Sequence, residues 1–453
     1  MRKIVTFIIV LCMSTTIVAC GNNTQKNNSN EVVNKERVEV DSSKLNSASF
    51  WIDKIKNSEE VVMTEDEITT LNKNMMDKWG MDWYEGYYDV SNITENVDIN
   101  QLKERICYLD LRNSELYRKG ELVDEAGWDN YYSNLNLDGI TEELRYAIII
   151  RNTSALDMPT YDILTDSSLD EAFNSLQQTT LKMNEPVVVL HESSDEKWLY
   201  VVANEYIGWV EKDNCAYFSN KQAWIDYMSQ EDFLMICADT TIEALDRELL
   251  MGTKIFISNT EVVEGKDYVL QIPEKNDEGF VTFSYIGILK NEAFNEGYLP
   301  YTRKNVIELA FSELGEPYGW GGANGERDCS LYIKDIYECF GIEMPRNSRL
   351  QMNMVNVSEN MSEMSEKDKE ERITKAMPGD ILGISGHVML YLGEVNGKHY
   401  VISMLSSYVP ETVTDNFSES VEDISKVFVN SLDVRRRNGN TWLQELIAIV
   451  NIQ

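Results

Sequence analysis

The sequence of 453 residues predicts a multidomain protein with a helical N-terminal segment, two small β-barrels and a C-terminal α+β domain. Three observations predict this fold class. Capped segments with helical periodicity fill residues 47–144. Short runs of β-branched and aromatic residues, separated by turn residues, predict one barrel over 145–222 and a second over 223–300. A helical pattern followed by alternating strands then fills 301–453.

The first residues have the features of an exported lipoprotein. Arg2 and Lys3 form a positively charged start, and the apolar run over residues 4–13 is short for a membrane span. The following IVAC resembles the lipobox of bacterial lipoproteins, in which a peptidase cuts before the cysteine and the thiol receives a diacylglycerol. We expect a signal peptide over residues 1–19 and a lipid on Cys20. The alternative is an uncleaved anchor with an incidental cysteine.

The stretch after this cysteine is polar. Residues 20–46 contain almost no bulky apolar groups and cannot bury a core, so we interpret them as a disordered tether. The folded part then begins near Ser47. We expect it to lie at the extracellular face of the cytoplasmic membrane, held there through the lipid.

Composition and charge restrict the class of protein. The chain is 43% hydrophobic and 10% aromatic, which is typical of a globular protein, and its formal net charge is −35. Because so negative a chain repels polyphosphate, we expect no nucleic-acid partner. The seven cysteines include Cys12 and Cys20 of the signal region, and the others form no CxxC pair. We expect no metal, no cofactor and a monomer.

The N-terminal segment contains two helix candidates. In MTEDEITTLNKNMMDKWG, Thr64 precedes Glu65 and Glu67, which predicts an N-cap followed by acidic first-turn residues, and the pattern ends at Gly80. DINQLKERICYLDLRNSEL is the second candidate. Since no polar constellation here indicates chemistry, we expect a packing or covering domain.

The two barrel regions differ in the strength of their signals. EPVVVLHES and KWLYVVANEYIGWVEKD alternate strongly, whereas TKIFISN, DYVLQIP and GFVTFSYIGIL are weaker. His191 falls at a predicted strand end of the first barrel. We interpret it as a surface residue.

A candidate nucleophile begins a helix in GWGGANGERDCSLYIKDIYECF. Apolar residues recur at helical spacing after Cys329, so this thiol lies in the first turn or at the cap. Unpaired N–H groups and the helix dipole favour a thiolate there, and the same groups can receive an oxyanion. The glycines before it permit close approach of a substrate backbone. The alternative is a small buried cysteine.

The end of the chain supplies the candidate base. VSENMSEMSEKDKEERITKAM predicts a solvated excursion, and Asn396-Gly397 predicts a two-residue hairpin. His387 opens the first hairpin strand. His399 follows the turn by two residues and would face Glu394, about 23 Å along the strand from His387. A turn tip is a poor place for catalysis, so we select His387 as the base.

These residues resemble a known family. The set EPYGWGG, RDCS, MPRNS, PGDIL and GHVMLYLG is similar to that of the NlpC-type cell-wall cysteine peptidases, over about 150 residues from Thr302 to the C-terminus. The resemblance implies a papain-like α+β fold and cleavage of peptidoglycan stem peptides between γ-D-glutamate and a diamino acid. EKWLYVV and NTSALDMPT resemble an SH3-like domain of a multidomain branch, with a helical segment, two such barrels and a C-terminal peptidase in this order.

The resemblance also implies roles for individual residues. Cys329 is the nucleophile and His387 the general base and acid. Tyr318 corresponds to a tyrosine near the oxyanion site, while Asp328 and Ser330 flank the nucleophile where relatives contact the L-alanine end of the substrate. For Asp328, the alternative is a helix cap.

The third catalytic position departs from the family pattern. Relatives place a His, Asn or Gln in the second hairpin strand to orient the imidazole, and the alignment puts Ser403 there. A strict two-residue hairpin would point Ser403 away from His387, and one bulge at Gly393 would bring it round. A hydroxyl can accept the ring N–H but stabilises imidazolium less than a stronger acceptor.

We therefore predict a membrane-tethered cysteine endopeptidase of stem peptides. Two alternatives stay open from the sequence. One is a weakly active or inactive wall-binding lipoprotein that uses its barrels, and the other is a related thiol enzyme acting as an amidase or transpeptidase on a different amide.

Overall fold

The computed structural model describes residues 42–79, 90–93, 97–168 and 173–453. The predicted signal peptide, Cys20, most of the predicted tether and the expected helix end at Gly80 lie outside the described residues. Within the described ranges, every helix is too short or too polar to cross a bilayer.

The N-terminal segment is helical, as predicted. Thr64 precedes the long helix, accepting from the Glu67 N–H at 3.4 Å while the Glu67 carboxylate accepts from the Thr64 N–H at 2.8 Å. Asp98 caps the second candidate helix. The helices are α1 (Ser42–Leu45), α2 (Ala48–Ile52), α3 (Glu65–Trp79), α4 (Ile99–Ile106) and α5 (Glu125–Asn134), with a hairpin of β1 (Tyr117–Arg118) and β2 (Glu121–Leu122).

The first β-rich region forms a seven-stranded antiparallel sheet in the order β10-β3-β7-β8-β9-β4-β6. A short strand of the same region pairs with β1, so the N-terminal hairpin and the barrel share hydrogen bonds. The strands are β3 (Arg145–Ile149), β4 (Thr153–Leu156), β5 (Leu164–Thr165), β6 (Gln177–Leu181), β7 (Pro186–Glu192), β8 (Trp198–Val202), β9 (Ile207–Glu211) and β10 (Cys215–Tyr217).

The prediction of a surface position for His191 was wrong. The residue lies inside β7, is buried, and bonds through Nε2 to the carbonyl oxygen of Leu135 at 3.0 Å. The reason is tertiary: the end of α5 covers this strand, and a sequence pattern does not show which strand face a helix covers.

The second β-rich region consists of three smaller antiparallel groups, β14-β11-β17, β12-β13 and β15-β16, around one apolar cluster. Its elements follow helix α6 (Lys221–Met228). They are β11 (Phe233–Ile236), β12 (Thr240–Ile242), β13 (Arg247–Leu249), β14 (Lys254–Phe256), β15 (Tyr268–Lys275), β16 (Val281–Ile288) and β17 (Phe294–Glu296).

The C-terminal region is α+β, with a six-stranded antiparallel sheet in the order β18-β23-β19-β20-β21-β22. Helix α8 packs against β20 and β21, which brings the helix start close to the sheet. The elements are α7 (Arg303–Ser312), α8 (Cys329–Glu338), α9 (Ser348–Gln351), β18 (Ser358–Asn360), α10 (Glu366–Ile373), β19 (Ile381–Ile384), β20 (His387–Val395), β21 (Lys398–Tyr408), β22 (Glu422–Ser431), α11 (Trp442–Glu445) and β23 (Leu446–Val450).

The predicted solvated excursion is in fact integrated into this domain. Strand β18 pairs with β23, and α10 buries Ile373 while the turn before it buries Met361. Most of the segment is exposed, as its polar composition predicts, and these few apolar side chains attach it to the second core of the sheet.

Candidate active site

The nucleophile candidate stands where the sequence predicts it. Cys329 is the first residue of α8, and Asp328 is the N-cap, accepting from the N–H groups of Ser330 and Leu331 at 3.1 and 3.0 Å. The thiol is half-buried and free of any disulfide. The Asp328 carboxylate satisfies two of the N–H groups of the first turn and thereby fixes the start of the helix that carries the thiol.

The glycine loop before the nucleophile is held by the first barrel. Gly321 and Gly322 have φ of +61° and +79°, and their carbonyl oxygens accept from Gln177 Nε2 at 2.9 Å and Thr180 Oγ1 at 2.7 Å. A Cβ on Gly321 would stand 2.7 Å from Gln177 Cγ, so only glycine fits there. Strand β6 therefore shapes the catalytic loop, a role that sequence reasoning missed because nothing near Gln177 indicates a partner in another domain.

The hairpin carries the predicted bulge. Glu394 pairs with His399 in the expected two-residue register, and the register shifts between Tyr391 and Gly393, where φ is +132°. The extra residue turns the following positions by one face, and Ser403 Oγ lies 3.1 Å from His387 Nε2. The bulge hypothesis is confirmed, and it brings the two predicted side chains together.

Nucleophile and base candidates share one cavity of about 490 Å³. Cys329, His387 and Tyr318 line it together with Trp320 and Trp442, and the His387 ring makes an edge contact with Trp442 at a centroid distance of 5.2 Å. Because Ser403 engages Nε2, Nδ1 is the ring nitrogen left to exchange a proton with the thiol. A shared cavity and a base held by a third group are two of the features that a thiol nucleophile needs.

Burial sets the resting protonation of the pair. It raises the pKa of Cys329 to about 12, with Asp328 adding to the effect, and it lowers the pKa of His387 to about 3, assisted by the positive charge of Arg436. Both pKa shifts favour a neutral thiol and a neutral imidazole in the resting pair. The start of a helix was expected to favour the Cys329 thiolate and so to lower its pKa below the usual value of about 8.5. The structure gives the opposite direction, because the loss of hydration raises the pKa by more than the helix dipole lowers it.

The remaining predicted substrate residues have different surroundings. Asp328 and Ser330 are buried, and Arg346 pairs with both: its Nη2 lies 2.6 Å from Asp328 Oδ2 and its Nη1 3.0 Å from Ser330 Oγ. Arg346 also donates through Nε to Thr179 Oγ1 at 2.7 Å. Although burial opposes it, Arg346 keeps the pKa of Asp328 below its ordinary value. This geometry favours the helix-cap alternative for Asp328.

Arg346 was given no role on the sequence alone, although it lies in MPRNS, one of the motifs that carry the family resemblance.

Tyr318 does line the cavity, and burial raises the pKa of its hydroxyl well above the ordinary value. His399 bonds through Nδ1 to the Tyr391 hydroxyl at 2.8 Å. The described residues contain no group of three His, Cys, Asp or Glu side chains placed to hold a metal ion.

The C-terminal α+β domain thus places a cysteine and a histidine in one cavity and is joined to antiparallel β-structure. Residues 315–416 match the family model described as NlpC/P60 family, and residues 160–211 match the model described as SH3 domain (SH3b1 type). The chain thus contains an NlpC/P60 domain, of a family of cysteine peptidases, and an SH3b domain.

Two known proteins resemble larger parts of the chain. Dipeptidyl-peptidase 6 of Lysinibacillus sphaericus is 23% identical over 222 residues, which cover 47% of this chain and 76% of that protein. The structure of an NlpC/P60 endopeptidase from Photobacterium damselae subsp. piscicida superposes with a TM-score of 0.69 at 19% identity, covering 88% of this chain and 96% of that one. The structural likeness extends the shared fold beyond the peptidase domain to most of the chain.

Proposed function

We propose that this protein is a cysteine endopeptidase that hydrolyses peptidoglycan stem peptides at the γ-D-glutamyl–diamino acid bond. One observation carries the proposal: Cys329 begins a capped helix and shares a cavity with His387, whose ring Ser403 orients at 3.1 Å. The NlpC/P60 match and the peptidase names of both relatives support it.

The neutral resting pair determines how the first step proceeds. As the Cys329 sulfur attacks the scissile carbonyl carbon, His387 Nδ1 takes the thiol proton, so that the ion pair forms only with the tetrahedral intermediate. The N–H of Cys329 at the start of α8, which the Asp328 cap does not use, stabilises the oxyanion, and the hydroxyl of Tyr318, which lines the same cavity, assists it. His387 then returns the proton to the leaving amine, which yields an acyl-enzyme.

Hydrolysis completes the cycle. A water molecule gives a proton to His387 and attacks the acyl carbon. Collapse of the second tetrahedral intermediate releases the γ-glutamyl product, and the thiol regains its proton from the imidazolium. The Ser403 hydroxyl keeps the ring oriented through both steps.

We further propose that the enzyme works as a monomer outside the cytoplasmic membrane, attached through a lipid on Cys20. The support is the sequence IVAC after a short apolar run and the polar tether that follows.

A second candidate function is wall binding with little or no catalysis. The neutral thiol and the hydroxyl in place of a stronger acceptor favour it, because both lower the reactivity of the pair. The SH3b domain would then supply the wall contact.

Mass analysis of defined stem peptides after digestion tests the proposal. We expect scission after γ-D-glutamate by the wild type and none by Cys329→Ala or His387→Ala, each folded as judged by circular dichroism. Cys107→Ala, which removes a half-buried thiol that does not line the cavity, serves as the matched control and should cleave normally. Wild-type rates from Cys329→Ala would contradict the proposed function and favour wall binding.

A further inference from the structure

Three consecutive arginines line the catalytic cavity. Arg435, Arg436 and Arg437, here called the arginine segment, share it with Cys329 and His387. The chain as a whole has a formal charge of −35, so a run of cations at this place is unusual for it. Among the described residues that line the cavity, none is an aspartate or glutamate. The cavity is therefore positively charged in a negatively charged protein.

The segment is attached to the fold by hydrogen bonds to carbonyl oxygens, and the Glu445 carboxylate, whose pKa Arg436 helps to lower, forms no ion pair with it. Arg435 pairs its backbone with Val409 and donates through Nη1 to the Gly439 carbonyl at 2.7 Å. Arg436 donates through Nη2 to the Ser385 carbonyl at 3.2 Å. Carbonyl oxygens orient a guanidinium without neutralising it.

Carboxylate partners are absent from the described part of the chain for all three arginines, in contrast to the buried Arg327 and Arg346, each of which has one or more. The Nε of Arg435 is buried without a hydrogen-bond partner among the described residues, and Arg437 is exposed at the mouth. Arg436 is near enough to His387 to help burial lower the pKa of the imidazole. Its positive charge therefore reaches the reacting groups.

A negatively charged substrate would compensate the positive charge of the arginine segment. Guanidinium groups bind carboxylates with two parallel hydrogen bonds, which gives both affinity and orientation. A γ-linked glutamyl residue carries a free α-carboxylate beside the scissile amide. A diamino acid of the diaminopimelate type carries a further carboxylate at the end of its side chain, whereas lysine carries none there.

We propose that the arginine segment selects stem peptides with free carboxylates beside the scissile bond. The inference rests on the proposed function for the identity of the peptide and deepens it by naming the charge class of the substrate. Arg436 and Arg437 are the specificity-determining residues, since both line the cavity and neither forms an ion pair with a carboxylate among the described residues.

The test uses four peptides that differ only in which of the two free carboxylates they carry. The glutamyl α-position is a free acid or an amide, and the diamino acid is diaminopimelate or lysine. Calorimetry measures binding of each peptide to the Cys329→Ala protein. The same measurement is made on two further proteins, which carry Arg436→Gln or Arg437→Gln in addition to Cys329→Ala. Lys367→Gln is the matched control, because Lys367 is an exposed cation on α10 outside the cavity.

We expect each arginine substitution to weaken binding of the fully acidic peptide by roughly tenfold and to leave the α-amide lysine peptide within about twofold. If affinity depends only on whether the glutamyl α-position is an acid or an amide, the arginine segment binds the glutamyl carboxylate. If affinity depends only on whether the diamino acid is diaminopimelate or lysine, the segment binds the side-chain carboxylate of diaminopimelate. Equal affinity of all four peptides, or no binding of any, would overturn the inference.

Hydrolysis by the wild type separates this inference from the proposed function. If the four peptides bind with the expected preference but none is cleaved, the endopeptidase proposal fails while the charge selectivity holds. If peptides are cleaved at equal rates and the arginine variants change neither kcat nor KM, the endopeptidase proposal holds and the charge selectivity fails.

Discussion

Replacing Ser403 by alanine tests the most unusual part of the site. Ser403 is fully buried, and its Oγ is 3.1 Å from Nε2 of His387, which is also buried. The substitution leaves that ring nitrogen without its partner. An unpaired buried polar group costs about 1–3 kcal/mol.

Because about 1.4 kcal/mol corresponds to a tenfold change in rate, we expect kcat/KM to fall by roughly 10- to 100-fold. The loss should lie in kcat, since the imidazole must be oriented at the moment of proton transfer while substrate binding uses other parts of the cavity. The assay is steady-state cleavage of a defined stem peptide, followed by chromatography of the released amine.

Ser403→Thr is the matched variant, because it keeps the hydroxyl and adds one methyl in a strand position that suits a β-branched residue. It should retain most of the wild-type kcat, with at most a small loss of stability from overpacking. If Ser403→Ala stays within about twofold of wild-type kcat while remaining folded, the hydroxyl does not orient the base, and the reasoning from the bulge to catalysis is refuted.

Three further predictions follow from other parts of the molecule. Because burial raises the pKa of Cys329, its thiolate fraction should rise about tenfold per pH unit from pH 7 to 10. The rate of iodoacetamide labelling, followed by mass spectrometry, should rise in the same way. A labelling rate that reaches its plateau at mildly acidic pH would contradict the neutral pair. Arg346→Gln leaves the Asp328 carboxylate buried without its cation and should cost about 3–5 kcal/mol in urea unfolding, whereas Lys367→Gln should be nearly neutral; equal stability of the two variants would disprove the structural role of the ion pair. Radiolabelled palmitate should label the wild-type protein in cells but not Cys20→Ala, and equal labelling of both would exclude lipid on Cys20.

Local patterns were enough to select the reacting residues. The apolar spacing after Cys329 predicts an amphipathic helix with the thiol at its start, and the Asn396-Gly397 dipeptide predicts the hairpin that His387 opens. Both signals act over a few residues, where backbone preference and periodicity decide the structure. The possibility of a bulge at Gly393 was also visible, since glycine tolerates a positive φ.

What the sequence by itself determined about this protein is therefore its order of structural classes and its candidate nucleophile and base. Only the tertiary structure decided what surrounds them. Gln177 and Thr180 reach the glycine loop from another domain, and Arg346 pairs with Asp328 at the start of α8. The pKa values of Cys329 and His387 depend on how completely this packing removes water. Contacts between residues far apart in sequence leave no periodic signal, and desolvation is a property of the assembled cavity, so neither could be read from the order of residues.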